Sequence, residues 1–309
     1  MRIHHIILFF LFILFVTACG RYADEGAKDT ATSGRINIAA DEELKPMTRA
    51  ELDVFTSLYT NAKINAVYKP EDSAYAIFLK DSARLIVTSR KLTSSEETYL
   101  NNNHLHPEQV KIASDAIVFI VNNANPDTLL SVEKLKAIFN GNDSLWQQIN
   151  TKNKGKINLV FDYDNSGISR YIQQNLMQEK KFPAYCFALQ GNKQVVQYVS
   201  KNPGAIGVLA FNWLSSEYDT AVINALKMVK VVALSAKESP NASDYFAPYM
   251  ATIQSGQYPI CRDIYIISRE PYTGLGSGFL SFVASNKGQR IIYQEGLLPA
   301  RMPSLNIHY

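Results

Sequence analysis

Apolar residues recur along the chain with two periods, one typical of strands and one typical of helices. Residues 35–40 alternate apolar and polar side chains and predict a strand, and residues 47–60 carry apolar residues at helical spacing. The same succession then recurs, with further strands predicted at residues 63–68, 84–88, 157–161 and 205–209. Strands that alternate with helices indicate mainly parallel sheets covered by helices, so the pattern predicts an α/β fold.

Two predicted strands are candidates to cross between separate parts of the molecule. They are the apolar segments 112–121 and 260–267. If these segments pair antiparallel, they join two α/β lobes, one formed by residues 35–121 with 259–309 and the other by residues 122–258. In such a fold ligands bind between the lobes, at the carboxyl ends of the strands.

The first 34 residues do not follow this pattern. An apolar run at residues 6–16 follows a basic start and is too short to span a bilayer, which takes about 20 apolar residues. We therefore interpret residues 1–19 as an export signal that ends in a lipobox, with Cys19 as the lipid-bearing residue. The alternative is an ordinary signal peptide whose cysteine is incidental. Residues 20–34 are small and polar and predict a flexible tether, so we expect an exported protein anchored by lipid in the cell envelope.

Composition excludes several classes of protein. Hydrophobic residues make up 47% of the chain, enough for sizeable cores, and the net charge is +3, with 31 basic and 28 acidic residues well mixed. Without a basic stripe, nucleic acid is not an expected partner. No Cys/His group has zinc-ligand spacing, so we predict no metal. We also expect no cofactor and a monomer. Cys186 and Cys261 are left, either bridged or as thiols.

The junction after the predicted strand 157–161 is the main candidate site. Ser166-Gly167 forms a turn there and a helix is predicted over residues 166–178. Backbone N–H groups and the positive end of the helix dipole point at one spot, which suits a small oxyanion. The alternative is a serine N-cap without any ligand.

A second glycine-rich segment is similar to a phosphate loop. Residues 274–278 read Gly-Leu-Gly-Ser-Gly, but the Lys-Ser/Thr ending of phosphate loops is missing. We therefore interpret it as a loop and helix cap. Residues 278–296 that follow predict one helix.

Six segments in collinear order resemble the substrate-binding proteins of bacterial phosphate ABC transporters. They are residues 39–46, 87–97, 112–122, 130–141 with Trp146, 202–207 and 258–262. The resemblance implies a two-lobed type II periplasmic-binding fold in which each lobe is a mixed, mainly parallel sheet flanked by helices, joined by two hinge strands. It implies a non-catalytic, lipid-anchored protein that captures phosphate or a related oxyanion for an inner-membrane ABC permease. The implied ligand-binding residues are Ser166, Gly167, Ile168, Ser169, Ser89, Arg90, Glu42, Glu43 and Leu44.

Several positions depart from the family pattern. Ile168 removes a threonine hydroxyl, for which Ser169 is the candidate substitute, and Ser89 stands where the family has an acceptor aspartate. Asp162 stands where many relatives carry arginine. Carboxylates at positions 41, 42, 43 and 162 would repel a dianion if they face the site.

These departures leave three points open. Arg90 either clamps the ligand or forms a surface ion pair. Transport requires that neighbouring carboxylates do not plug the amides of the Ser166-Gly167 turn; otherwise a structural or sensory lipoprotein that binds a protein partner is the alternative. A hydrolase is disfavoured because the chain has no Gly-x-Ser-x-Gly elbow.

Overall fold

The computed structural model describes residues 29–177, 181–214 and 220–304. The predicted export signal and Cys19 lie outside these residues. The α-helices are α1 Lys45–Leu58, α2 Glu71–Leu79, α3 Ser94–Asn102, α4 Val132–Phe139, α5 Gly167–Asn175, α6 Asn192–Lys201, α7 Phe211–Leu214, α8 Thr220–Leu226, α9 Met250–Gln254, α10 Leu275–Ala284 and α11 Asn286–Gln294. The strands are β1 Gly34–Asp41, β2 Ala62–Lys69, β3 Leu85–Thr88, β4 Glu108–Asn122, β5 Leu129–Ser131, β6 Asn158–Phe161, β7 Cys186–Ala188, β8 Ala205–Ala210, β9 Val229–Val231, β10 Ala233–Ser235, β11 Cys261–Ser268 and β12 Leu298–Pro299.

A single sheet runs through both lobes in the order β2-β1-β3-β11-β4-β8-β6-β7. The outer strands are parallel: β1 pairs with β2 and β3, and β6 pairs with β7 and β8. The central strands β11 and β4 are antiparallel to each other and to their outer neighbours. The predicted two-lobed α/β fold is therefore confirmed, with a mixed sheet that is parallel toward both edges.

The strand β4 belongs to both lobes. Its first half, through Ala116, pairs with β11, and its second half, from Ile117, pairs with β8. The antiparallel pairing predicted for the two crossover strands is therefore present. Ten of the last eleven residues of β4, from Ile112 onward, are buried, as expected for a strand covered on both faces.

The buried apolar residues fall into three clusters, which divide along the chain as the two predicted lobes do. One is drawn from residues 116–260, and the two others come from residues 36–113 with 264–297 and from residues 39–105 with 267. Each lobe thus has its own core, as a unit that packs independently requires. The boundaries at 121/122 and 258/259 stay predictions, and this division supports them.

Local sequence accounts for several helix ends. Thr93 and Glu96 form a reciprocal capping box at the start of α3, and Ser131 accepts a hydrogen bond from Lys134 N at the start of α4. The single helix predicted over residues 278–296 is wrong: Ser285 takes an extended conformation, ends α10 and caps α11. A serine that can cap a new helix favours this break.

The described end of the predicted tether is bound to the protein. Asp29 accepts hydrogen bonds from Arg84, the Tyr272 hydroxyl and Leu275 N, and Thr30 pairs with Ser33. Residues 29–33 therefore lie against the start of α10. Among the helices that the structure describes, none combines the length and the hydrophobicity that crossing a membrane requires.

Candidate functional site

The first turn of α5 follows β6 after a short turn, as the sequence predicts. Ser166 is the N-cap, in an extended conformation, and its Oγ accepts a hydrogen bond from Ser169 N at 3.2 Å. The same hydroxyl donates to Asp162 Oδ1 at 2.7 Å. The serine therefore acts as the cap that its residue type favours, and the start of the helix is held to the end of β6.

Seven buried or half-buried ionisable residues from both lobes meet at this helix start, and we call them the charged cluster. They come from the ends of β1 and β6, from the hinge strands β4 and β11, and from the turn and helices next to them. The members of the charged cluster are Asp41, Glu43, Glu71, Asp115, Asp162, Arg170 and Arg262.

Three groups of Glu43 bind the opposite lobe and the hinge. Its Oε1 accepts a hydrogen bond from Ile168 N in α5 at 3.0 Å, and its Oε2 forms an ion pair with Arg262 Nη1. Its backbone oxygen accepts hydrogen bonds from Asn212 Nδ2 at 3.1 Å and Trp213 Nε1 at 3.0 Å in α7. A carboxylate of the protein thus accepts the hydrogen bond of one α5 amide, which was expected to be open to a transported anion.

Glu71 contacts Ser89, the residue that stands where the family has an acceptor aspartate. It accepts hydrogen bonds from Thr88 Oγ1 at 2.9 Å, Ser89 N at 3.0 Å and Ser89 Oγ at 2.7 Å. Arg170 Nε contacts the same carboxylate at 2.5 Å. Burial would raise the pKa of Glu71, but the charge of Arg170 and these hydrogen bonds lower it, so Glu71 is an anion.

Arg262 is the deepest cation of the charged cluster. Its side chain is 1% exposed and forms ion pairs with Glu43 and with Asp115 Oδ2, the latter at 3.1 Å. Burial would lower the pKa of Arg262, yet the charges of Glu43, Asp115 and Asp41 raise it. Burial raises the pKa of Asp115 to about 6, against the opposing charge of Arg262.

The environment of Asp41 and Asp162 in the charged cluster favours their protonated forms. Burial and the charge of Glu43 raise the pKa of both side chains well above the ordinary value of 3.8. Arg170, Arg262 and Arg90, which lies 3.9 Å from Glu71, supply the positive charge next to these carboxyl groups. Protonation of these two carboxyl groups reduces the repulsion that the cluster exerts on an anion, and a protonated carboxyl can donate a hydrogen bond.

Gly167 is required at the start of α5 because of its contacts. A Cβ atom there would lie 2.5 Å from Ser89 Oγ, 2.8 Å from Asp41 Oδ2 and 2.9 Å from Arg262 Nη1. No larger residue fits unless these groups move. The helix start of one lobe is therefore in direct contact with polar groups of the other lobe and of the hinge.

Four of the predicted ligand-binding residues have other roles in the structure. Arg90 forms two hydrogen bonds with Glu96, at 2.7 and 2.8 Å, and stacks on the Tyr75 ring, so of its two interpretations the ion pair is present. The Ser169 hydroxyl donates to the backbone oxygens of Asp164 and Ser166, and its role as substitute for the threonine stays a prediction.

The remaining two are Glu42 and Leu44. Glu42 hydrogen-bonds to the Tyr163 hydroxyl, and Leu44 is fully buried in an apolar core. Among the three residues of the 3₁₀ turn Glu42–Leu44, the described hydrogen bond to an α5 amide is that of Glu43.

Sequence reasoning missed Glu71, Asp115 and Arg262. Each interrupts an apolar or capping pattern: Asp115 lies within the hinge strand β4, Arg262 lies within β11, and Glu71 starts α2. A charge inside an apolar strand is the pattern that could have identified Asp115 and Arg262, since lone charges are rarely buried without a partner.

Five carboxyl groups close together raise the question of a metal. Within the ranges 29–177, 181–214 and 220–304, no three His, Cys, Asp or Glu side chains are grouped to hold a metal ion. Cys186 and Cys261 are both thiols. Burial raises the pKa of Cys261 to about 12, so its thiol is neutral.

Comparison with known proteins decides the family. The sequence model of the PBP superfamily domain matches residues 25–287. The chain belongs to the PBP superfamily. The resemblance found in the sequence is confirmed by a curated relative of this family, the phosphate-binding protein PstS of Staphylococcus aureus (strain USA300). It is 24% identical over 281 residues, which cover 89% of this chain and 81% of that protein.

Solved structures show the same fold. A phosphate ABC transporter substrate-binding protein from Clostridium perfringens, with bound phosphate, aligns with a TM-score of 0.71 and 19% identity over 87% of this chain and 100% of its own. An ABC-type phosphate transport receptor from Vibrio cholerae aligns with a TM-score of 0.66 and 20% identity over 86% of this chain and 100% of its own.

Proposed function

We propose that this protein is a non-catalytic solute-binding protein of an ABC transporter that captures phosphate, or a related oxyanion, in the cleft between its lobes. The observation that carries this proposal is the meeting of the α5 helix start with Ser89 and Arg262 around Gly167. Hydrogen-bond donors of both lobes converge there, as a ligand that holds two lobes together requires. The PstS relatives and the phosphate-bound structural neighbour make phosphate the first candidate.

The donors at this place suit an oxyanion. Ile168 N–H lies at the positive end of the α5 dipole, and Ser89, Arg170 and Arg262 supply a hydroxyl and two guanidinium groups. Burial favours the protonated forms of Asp41 and Asp162, and in these forms the two side chains offer hydroxyl donors rather than repelling charges. Since buried donors without a partner disfavour a ligand that cannot pair with them, this set selects for a compact acceptor.

The cellular context is proposed from the sequence and the relatives. Export, a lipid anchor at Cys19 and delivery of the loaded protein to an inner-membrane permease fit the start of the chain and the transporter proteins that it resembles. Lobe closure around the ligand then occurs by a hinge motion in β4 and β11.

Isothermal titration calorimetry with phosphate, sulfate and molybdate tests the proposal. We expect phosphate binding with a Kd on the order of micromolar or tighter. If none of the three anions binds, the alternative of a lipoprotein that recognises a protein partner replaces solute binding.

A substitution at Gly167 tests the place of binding. Gly167→Asp fills the contact with Ser89 and adds a negative charge, so we expect phosphate affinity to fall by roughly 100-fold or more, without loss of the fold. The matched control is Ser94→Asp, which adds the same charge at the exposed first position of α3 and leaves affinity unchanged. Wild-type affinity in Gly167→Asp would remove the α5 turn from the site.

A further inference from the structure

Glu43 makes the contacts that a bound anion would make. Its carboxylate accepts the hydrogen bond of Ile168 N at the start of α5 and pairs with Arg262, the deepest cation of the charged cluster. Both partners are donors that an oxyanion needs. Glu43 comes from the other lobe, 125 residues before Ile168 in the chain.

The backbone of Glu43 is held as firmly as its side chain. Asn212 Nδ2 and Trp213 Nε1 both donate to the Glu43 carbonyl, from α7 in the lobe that carries α5. One residue of the turn after β1 is thus bound on three sides by the opposite lobe and the hinge. Its side chain is fully buried, so these contacts exclude water.

We propose that Glu43 is an internal competitor of the transported anion, which closes the two lobes on each other in the absence of ligand and must leave before the anion binds. This inference rests on the proposed function, because it assigns to Glu43 the control of affinity at the same site. Asp41, Glu71, Asp115 and Asp162 do not fill this role, since none of them accepts a hydrogen bond from an α5 amide among the described contacts.

The physical reason is that apparent affinity falls by the fraction of molecules that are competent to bind. A carboxylate on Ile168 N and Arg262 keeps the competent fraction small, so it lowers the apparent affinity for every anion by the same factor. Removal of the charge should increase the competent fraction and loosen the closed state of the lobes.

The variant Glu43→Gln tests this with calorimetry. The amide keeps the shape of the side chain but cannot neutralise Arg262, so we expect phosphate to bind roughly tenfold more tightly than to the wild type. The matched control is Asp53→Asn, which removes one negative charge from an exposed position of the same lobe and should leave affinity unchanged. Equal or weaker phosphate binding by Glu43→Gln overturns the competition.

Small-angle X-ray scattering of the ligand-free proteins separates this inference from the proposed function. We expect Glu43→Gln, and also Glu43→Ala, to have a larger radius of gyration than the wild type and Asp53→Asn. If no oxyanion binds any variant but the radius increases, phosphate capture fails and the closing contact stands. Unchanged scattering in both variants overturns the closing contact, whatever the affinities are.

The wild-type protein provides a measurement that does not depend on the stability of a variant. If Glu43 holds the Ile168 amide, hydrogen exchange at that amide is slow without phosphate and changes little when phosphate replaces the carboxylate. Fast exchange in the ligand-free wild type, with protection only after phosphate is added, overturns the inference.

Discussion

Two helices of this protein, α10 and α5, receive a carboxylate at their first turn, and they use it differently. At α10, Asp29 accepts a hydrogen bond from Leu275 N at 2.7 Å, and Glu270 accepts from Gly276 N at 2.9 Å and Ser277 N at 2.7 Å. At α5, Glu43 alone takes an amide, from the opposite lobe. The glycine-rich start of α10 therefore is the helix cap that its sequence predicts.

The surroundings of the two carboxylates explain the difference. Burial would raise the pKa of Asp29, but Arg84, the Tyr272 hydroxyl and Leu275 N lower it to about 2, so every part of this cap stabilises the anion. At α5 the carboxyl groups share few cations, and two of them have pKa values well above normal. A well-satisfied cap stabilises the fold, whereas a crowded one has contacts that a ligand can replace.

Removal of the arginine from each region should produce the largest contrast. Arg262→Met leaves Glu43 and Asp115 buried without their cation, and we expect a loss of about 3–5 kcal/mol in the free energy of unfolding. Arg84→Met removes a cation that is 35% exposed, and we expect a loss of about 1 kcal/mol or less. Urea denaturation measures both. Similar losses in the free energy of unfolding would mean that the carboxylates near α5 and those near α10 depend equally on their arginine.

Removal of one aspartate from each region should change stability with opposite sign. The folded-state pKa of Asp29 is lowered from 3.8 to about 2, so its contribution is present above pH 3.8 and is lost as the pH falls toward 2. Asp29→Asn should therefore lower stability at neutral pH, by about 1 kcal/mol as for other helix caps.

The pKa of Asp41 is raised from 3.8, so the folded state binds the proton more tightly and stability falls as the pH rises above 3.8. Asp41→Asn should stabilise the protein at neutral pH and flatten this decline. Thermal unfolding of the wild type and of both variants between pH 3 and pH 9 gives the stability difference that each aspartate contributes and the slope of that difference with pH. Slopes of the same sign would contradict the assignment of Asp41 as a neutral acid.

The smallest effect is expected from Gly278→Ala in α10. Alanine favours a helix by up to about 1 kcal/mol, but its Cβ would clash with the Ala31 backbone oxygen. We expect residues 29–33 to leave the helix start, with a change in global stability of less than about 1 kcal/mol. Faster hydrogen exchange at Thr32 and Ser33, relative to wild type, measures the release. Unchanged exchange would mean that the segment accommodates the methyl group.

Local sequence determined the elements that build the site. The alternation of residues 35–40 predicted β1, the apolar run 112–121 predicted the hinge strand β4, and the Ser166-Gly167 turn predicted the start of α5. These predictions succeeded because hydrogen bonding and capping within an element depend on near neighbours in the chain. The prediction of one continuous helix over residues 278–296 failed, because the apolar spacing continues across the break at Ser285 between two adjacent helices.

The sequence by itself therefore determined an α/β fold with a helix start suited to an anion, because periodicity and capping act over a few residues. Only the tertiary structure decided that Glu43 reaches Ile168 and Arg262, and that Glu71 accepts the hydrogen bond of the Ser89 hydroxyl. These contacts join residues far apart in the chain, and the charge of each group depends on burial and on partners that exist only after the lobes have packed together.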